Sequence, residues 1–261
     1  DVIGINSYGG GPSLSQRYTD SESTKPYVVT EFGPVGTWEV SKNNLDAILE
    51  PSSKDKADHY AKSYRSFKAD SKNCLGSYAF LWGYKQEATA TWFGMLLPNG
   101  NRTASVDAMM ELWTGQRPKN RCPEITKFQL KGKNEVELGE TVSFEMAAMD
   151  VDGDPVNVEW VMTDESSNYV TGGDFQAAPT TYQKNIIKSD KTSAEIKMPE
   201  SGGLYRIYAY VDDGKKGGAV ANLPVRVRGP VKIKPAMKAA LPVVIYDEKM
   251  REEKYTPSGY M

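Results

Sequence analysis

The spacing of apolar residues changes near residue 120. Before it, short apolar runs alternate with helical spacings. Val2 to Ser7 reads as a strand running into "NSYGGG", whose glycines mark a loop. Pro26 admits a second strand, Tyr27 to Thr30, whose Val28-Val29 core is apolar on both faces, as in a parallel strand covered by helices. In "SSKDKADHYAKSYRSFKAD", Ala57, Tyr60, Ala61, Tyr64 and Phe67 recur at helical spacing, and Ser52 with Asp55 forms a capping-box pattern. "GSYAFLWG" predicts a third, uniformly apolar strand, Ser77 to Trp82. Val106, Met109, Met110 and Trp113 then make one helix face, which Gly115 stops and Pro118 prevents from continuing. This order is that of βα units with parallel strands.

From Arg121 the period becomes two. Val142, Phe144, Met146 and Ala148 alternate, and so do Val156, Val158 and Trp160; Ala194, Ile196 and Met198; Tyr205, Ile207, Ala209 and Val211; and Leu223, Val225 and Val227. About seven short strands, with Trp160 in the phase of Val156 and Val158, predict an immunoglobulin-like β-sandwich with that Trp in its core. From Gly229 the chain is rich in Pro and Gly and reads as a linker towards a further module. The expected organisation is α/β over 1–118, all-β sandwich over 119–228, and an extended tail over 229–261.

Composition narrows the function classes. The 261 residues carry a net charge of −2, with 39% hydrophobic and 25% charged, which suits two globular domains and gives neither a nucleic-acid footprint nor a membrane span. Neutral small or polymeric ligands fit better. Cys74, Cys122 and the single His59 lack metal-ligand spacing; the cysteines read as unrelated buried thiols, with a disulfide between them as the alternative, and His59 as a surface residue. "DVDGDP", with Asp150, Asp152 and Asp154, resembles the start of a calcium loop. Pro155 and Val161 stand where that loop needs Gly and Glu, so a turn is expected, with a weak calcium site as the alternative. Gly9 to Gly11 lacks the helix and lysine of a phosphate loop and reads as a flexible loop beside a binding subsite. The opening Asp1 to Asn6 has no basic or apolar leader pattern and looks like a cut rather than a start.

Candidate chemistry lies at the strand ends. In a parallel barrel, active residues sit where strands run out at their C-terminal ends. Glu31 takes that position on the second strand, Tyr8 follows the first, and Trp82 ends the third. A carboxylate, a phenol that can orient it and an indole offering an apolar face make a set suited to sugars.

Those residues carry a resemblance. "VVTEFGP", "NSYGGG" and "FLWG" resemble late strands, six to eight, of the clan A retaining glycoside hydrolases, which are (β/α)8 barrels. "GYKQEATATWFGMLLPNGNRTASVDAMMELWTG" followed by a sandwich is similar to bacterial polysaccharide-degrading members, the sandwich resembling their immunoglobulin- or PKD-like modules. The resemblance covers residues 1 to about 118. It implies that Glu31 is the nucleophile, that Tyr8 orients it, and that Trp82 floors the sugar subsite. Trp38, Gln86, Glu87 and Trp92 would line further subsites. The acid/base Glu, usually after an Asn on strand four, is not in this chain; Asn134-Glu135 lies in the sandwich and reads as a decoy.

The implied substrate is a polysaccharide or oligosaccharide, with a β-glucan preferred, and the implied location is secreted, periplasmic or cell-surface. The chemistry requires no cofactor or metal. This polypeptide by itself is expected to be inactive and to expose a sheet edge. The competing readings are a non-catalytic glycan-binding protein and a structural multi-module surface protein. Residue by residue, Glu31 could be a solvated loop carboxylate, and Tyr8 and Trp82 could simply pack.

Overall fold

The computed structural model describes residues 1–169 and 174–231. The tail expected as a linker lies, from residue 232 onward, outside them. In the first part, β1 (Ile3–Ser7), β2 (Tyr27–Phe32) and β3 (Cys74–Ala79) form a three-stranded parallel sheet with β2 in the middle. Helices α1 (Leu14–Asp20), α2 (Ser53–Ala69) and α3 (Ala104–Thr114) pack on the sheet. Leu14, Tyr18, Tyr27, Val29, Phe32, Tyr60, Phe67 and Met109 make the shared core.

The helix signals hold where their physics is local. Ser52 Oγ accepts from the Asp55 amide at 3.2 Å, and the Asp55 carboxylate accepts from the Ser52 amide at 3.2 Å, closing the expected capping box on α2. Gly115 ends α3 in the left-handed conformation, φ 73°, which costs a residue without Cβ little. On α3, Met109 is buried, whereas Met110 and Trp113 of the expected apolar face are exposed.

The strands depart from expectation in two ways. Only one face of β2 is fully covered: Tyr27 and Val29 are buried, Val28 is half-buried and Thr30 is exposed. The third strand runs earlier than expected, and Leu75 and Tyr78 on it are 62% and 67% exposed because β3 is an edge. Among the described residues neither β1 nor β3 has a second partner strand, so each presents an unpaired edge.

The second part is a two-sheet β-sandwich of the immunoglobulin-like kind. It has eight strands rather than about seven: β4 (Glu124–Lys131), β5 (Glu135–Val136), β6 (Thr141–Met149), β7 (Asn157–Asp164), β8 (Ile186–Ser189), β9 (Ser193–Lys197), β10 (Gly203–Asp212) and β11 (Gly218–Val227). The sheets have the orders β5-β11-β10-β7 and β4-β6-β9-β8. The residues expected from their alternation form its core, with Trp160 buried against Phe128 and Phe144 and its indole N–H donated to the Asp190 carbonyl at 2.9 Å.

The two parts share a buried polar interface. Arg206 on β10 grips Glu165 through two nitrogens, at 2.7 and 2.8 Å, and donates to the Ile48 carbonyl at 2.8 Å and to Asn222 at 2.6 Å. Asn222 donates to Glu50 at 2.7 Å, and Glu50 also takes Lys56 and, at 2.8 Å, the Thr91 hydroxyl. The Lys56–Glu50 side chains are 5% and 1% exposed. Burial alone would raise the Glu50 pKa, but Lys56 and hydrogen bonds hold it below the ordinary carboxylate range.

Candidate functional site

The geometry of Glu31 depends on a bulge. In regular alternation Glu31 would share the phase of Tyr27 and Val29 and point under the helices. Instead the β1–β2 register shifts: Ile5 faces Val29, but Asn6 faces Glu31, so Thr30 is the extra residue. The shift buries Phe32 and turns Glu31 to the open end of the sheet.

There Tyr8 donates to Glu31 Oε2 at 2.8 Å and the Asn6 amide donates to the same oxygen at 3.0 Å. Asn6 is itself oriented, its Oδ1 accepting from the Thr30 hydroxyl at 2.5 Å. Among the described residues no hydrogen bond goes to Oε1, so one carboxylate oxygen is held and the other is left open, and Glu31 lines a cavity. Burial, then the bond to Glu31, raises the Tyr8 pKa well above an ordinary phenol's, so its hydroxyl keeps its proton and remains a donor.

The cavity measures about 550 Å3 and is lined by Asn6, Tyr8, Glu31 and Ser7 at the strand ends, by Arg17 on α1, by Gly10, Trp38 and Glu39 on loops, and by Phe80, Glu87 and Phe93. Its aromatic wall is ordered. Tyr8 meets Trp38, Phe93 and Phe80 edge-on at centroid distances of 5.2, 5.5 and 6.0 Å, and Trp38 stacks on Phe93 at 6.1 Å. Trp38 keeps 52% of its surface exposed, so an indole face remains available to a ligand.

Of the residues expected from sequence, the structure brings Glu31, Tyr8, Trp38 and Glu87 together. Trp82, Gln86 and Trp92 lie outside the cavity lining. Trp82 is 60% exposed beyond the end of β3, and Trp92 is wholly buried with its indole N–H on the Val35 carbonyl at 2.9 Å. Phe80 and Phe93 take the wall positions expected of the two tryptophans.

The sequence reading missed Asn6, Arg17, Glu39, Phe80 and Phe93. Glu39 Oε2 accepts the amides of Gly9 and Gly36, both at 2.7 Å, stapling two loops together. Arg17 donates to the Gly10 carbonyl at 2.9 Å. The glycine run is therefore packed rather than a flexible loop: a Cβ on Gly9 would meet Glu39 at 2.8 Å, on Gly10 would meet Arg17 at 2.7 Å, and on Gly11 would overlap Ser63. His59 is half-buried rather than on the surface, its Nε2 2.8 Å from the Tyr8 carbonyl, tying α2 to this loop.

Other sequence features resolve as structural. Asp150 Oδ1 accepts the amides of Asp152 and Asp154, while Asp152 pairs with Arg121 and Asp154 with Lys215; this is the expected turn. Among the described residues no group of three or more His, Cys, Asp or Glu is placed to hold a metal ion. Cys74 and Cys122 are both free thiols, and Cys74 is half-buried rather than buried. Glu135 is engaged by Arg226 and Arg228 and lies outside the cavity lining. Among the described residues no helix is long and apolar enough to cross a membrane.

No family model matches this chain, and no curated protein matches it. Among solved structures it is similar to the PKD1 domain of Vibrio anguillarum Epp, at 17% identity, covering 44% of this chain and 100% of that one, with a TM-score of 0.25.

Proposed function

We propose that the Glu31 cavity is the nucleophile side of a retaining glycoside hydrolase site, and that residues 1–118 are the last βα units of a (β/α)8 barrel. The observation that supports this most is the asymmetric hold on Glu31: two donors fix Oε2, Oε1 accepts no bond among the described residues, and Glu31 lines a cavity walled by aromatic rings. A glycosidic nucleophile needs one oxygen aimed at the anomeric carbon and a donor set that prevents the carboxylate from rotating. Tyr8 and Asn6 serve that role.

In the proposed reaction Glu31 Oε1 attacks the anomeric carbon, the bond to the leaving oxygen breaks, and an acid/base carboxyl outside this chain protonates that oxygen. The same carboxyl then takes a proton from the water that releases the sugar and regenerates Glu31. The two carboxyls would stand about 5–5.5 Å apart. Glu39 and Glu87 also line the cavity, but each is already engaged, Glu39 by two backbone amides and Glu87 by Lys85. Neither suits the acid/base role. The preferred substrate is a polysaccharide without anionic groups, such as a β-glucan, since three carboxylates line the cavity against one arginine and would repel an acidic sugar. A secreted, periplasmic or cell-surface location belongs to the same proposal.

The test is covalent trapping in a polypeptide that also carries the acid/base strand. A 2-deoxy-2-fluoro glycoside with a leaving group that departs without protonation should leave one glycosyl unit on the peptide containing Glu31. A label on another carboxylate removes the nucleophile assignment, and binding without any label favours a glycan-binding protein.

A further inference from the structure

The sandwich reaches the cavity from behind. Tyr169, which follows β7, inserts its ring into the apolar cluster of Ile48, Ala88, Trp92 and Phe93, against which Tyr8 and Phe80 also pack. Its carbonyl accepts from the Thr37 hydroxyl at 2.6 Å, one residue before Trp38. Its own hydroxyl donates to Glu165 at 3.0 Å, the carboxylate that Arg206 grips.

A second contact comes from Gln176. Its Oε1 accepts the Ala88 amide at 2.8 Å, and its Nε2 donates to the Asn168 carbonyl at 2.9 Å. Ala88 has φ 60°, a left-handed conformation that is unfavourable for a residue with a Cβ and persists where its surroundings impose it. The bend at Ala88, closed by reciprocal amide–carbonyl bonds between Glu87 and Thr89 at 2.9 and 2.7 Å, sets Glu87 into the cavity wall.

A module that served only as a spacer would need no contact behind each wall of a cavity. We propose that the sandwich is a working part of the cavity, with Tyr169 and Gln176 as positioning residues that hold the Trp38 loop and the Glu87–Phe93 loop in register. This holds whatever ligand the cavity takes. The glycosidase reading can fail without it, and it can fail without the glycosidase reading.

The test uses the whole chain without any sugar. Residue-resolved hydrogen exchange and fluorine NMR of 5-fluorotryptophan protein, which has five tryptophans to resolve, are compared between wild type, Gln176→Ala and Tyr169→Phe. Gln176→Ala should speed exchange of the Ala88 amide about tenfold, as expected for a lost hydrogen bond. It should also speed exchange at Trp38 and Glu39 several-fold and shift the Trp38 resonance, with Trp160 unchanged. Tyr169→Phe keeps the ring and removes one hydroxyl, so it should shift the same resonance by less. Phe175→Ser, at an 84% exposed side chain, is the control and should change nothing. Acceleration confined to Ala88 with Trp38 unmoved, or uniform loosening of the whole chain in either variant, overturns the proposal.

Discussion

Two carboxylates in this molecule occupy opposite situations. Glu50 is buried at the interface between the parts and is fully committed to Lys56, Thr91 and Asn222. Glu31 stands at the end of β2 in the lining of a cavity, with one oxygen held and the other without a bond among the described residues. The residue type is the same, so the difference lies in how many of the carboxylate's acceptor sites the fold itself fills. A site that fills them all builds the structure, and one that leaves an acceptor open has it available to a ligand.

The largest expected effect breaks the filled side. Arg206→Ala leaves Glu165 and part of the Glu50 network buried without its cation, and should cost about 3–5 kcal/mol in urea unfolding. A loss under about 1 kcal/mol would mean that the interface is not held by this network.

Next, Glu50→Gln should change the pH dependence of stability. The folded-state pKa of Glu50 is depressed, so its contribution is complete above the unfolded-chain value of about 4.3 and is lost as pH falls through the folded value. Removing the carboxylate should flatten that acid limb; an unchanged limb would contradict the depressed value.

On the open side the effects on stability shrink. Tyr8→Phe removes one donor to Glu31 and should cost about 1 kcal/mol, while its main consequence is slower covalent trapping. Glu31→Gln should change stability by no more than about 0.5 kcal/mol, since little in the fold relies on its charge. A Glu31→Gln loss as large as that of Arg206→Ala would place Glu31 with the structural carboxylates.

How much of this could be read from the sequence follows from how far each signal reaches along the chain. The α2 capping box, the Gly115 stop and the alternation that buries Trp160 depend on neighbours a few residues away, and all are legible. The bulge at Thr30 is not: nothing in "VVTEF" marks the inserted residue, yet it alone decides that Phe32 is buried and Glu31 points out. Position at a strand end pointed to Glu31 by a different route, and the structure places it in the cavity lining. Beyond β3 the chain leaves its period, so Phe80 and Phe93, not Trp82 and Trp92, reach the wall. Glu39 and Arg17 act on backbone groups of a distant or looped segment, which composition does not show.

One interface signal was available. "LYRIYAYVD" places Tyr205, Ile207, Ala209 and Val211 towards the sandwich core, while the opposite phase, Arg206, Tyr208 and Tyr210, is rich in aromatics rather than solvated. An antiparallel strand apolar in both phases is covered on both faces. Here the cover is the α/β part, where Leu97 packs with Tyr208, Val220 and Tyr210. The sheet of the first part lacks that completion, with unpaired edges at β1 and β3 among the described residues.

The central assignment, Glu31 as nucleophile, is tested most directly by chemical rescue of Glu31→Gly in a polypeptide carrying the acid/base strand. With an activated aryl β-glycoside and azide, azide should enter from the vacated face and give the α-glycosyl azide. A β-glycosyl azide would assign Glu31 the acid/base role instead, and an unrescued but still active variant would remove it from the chemistry.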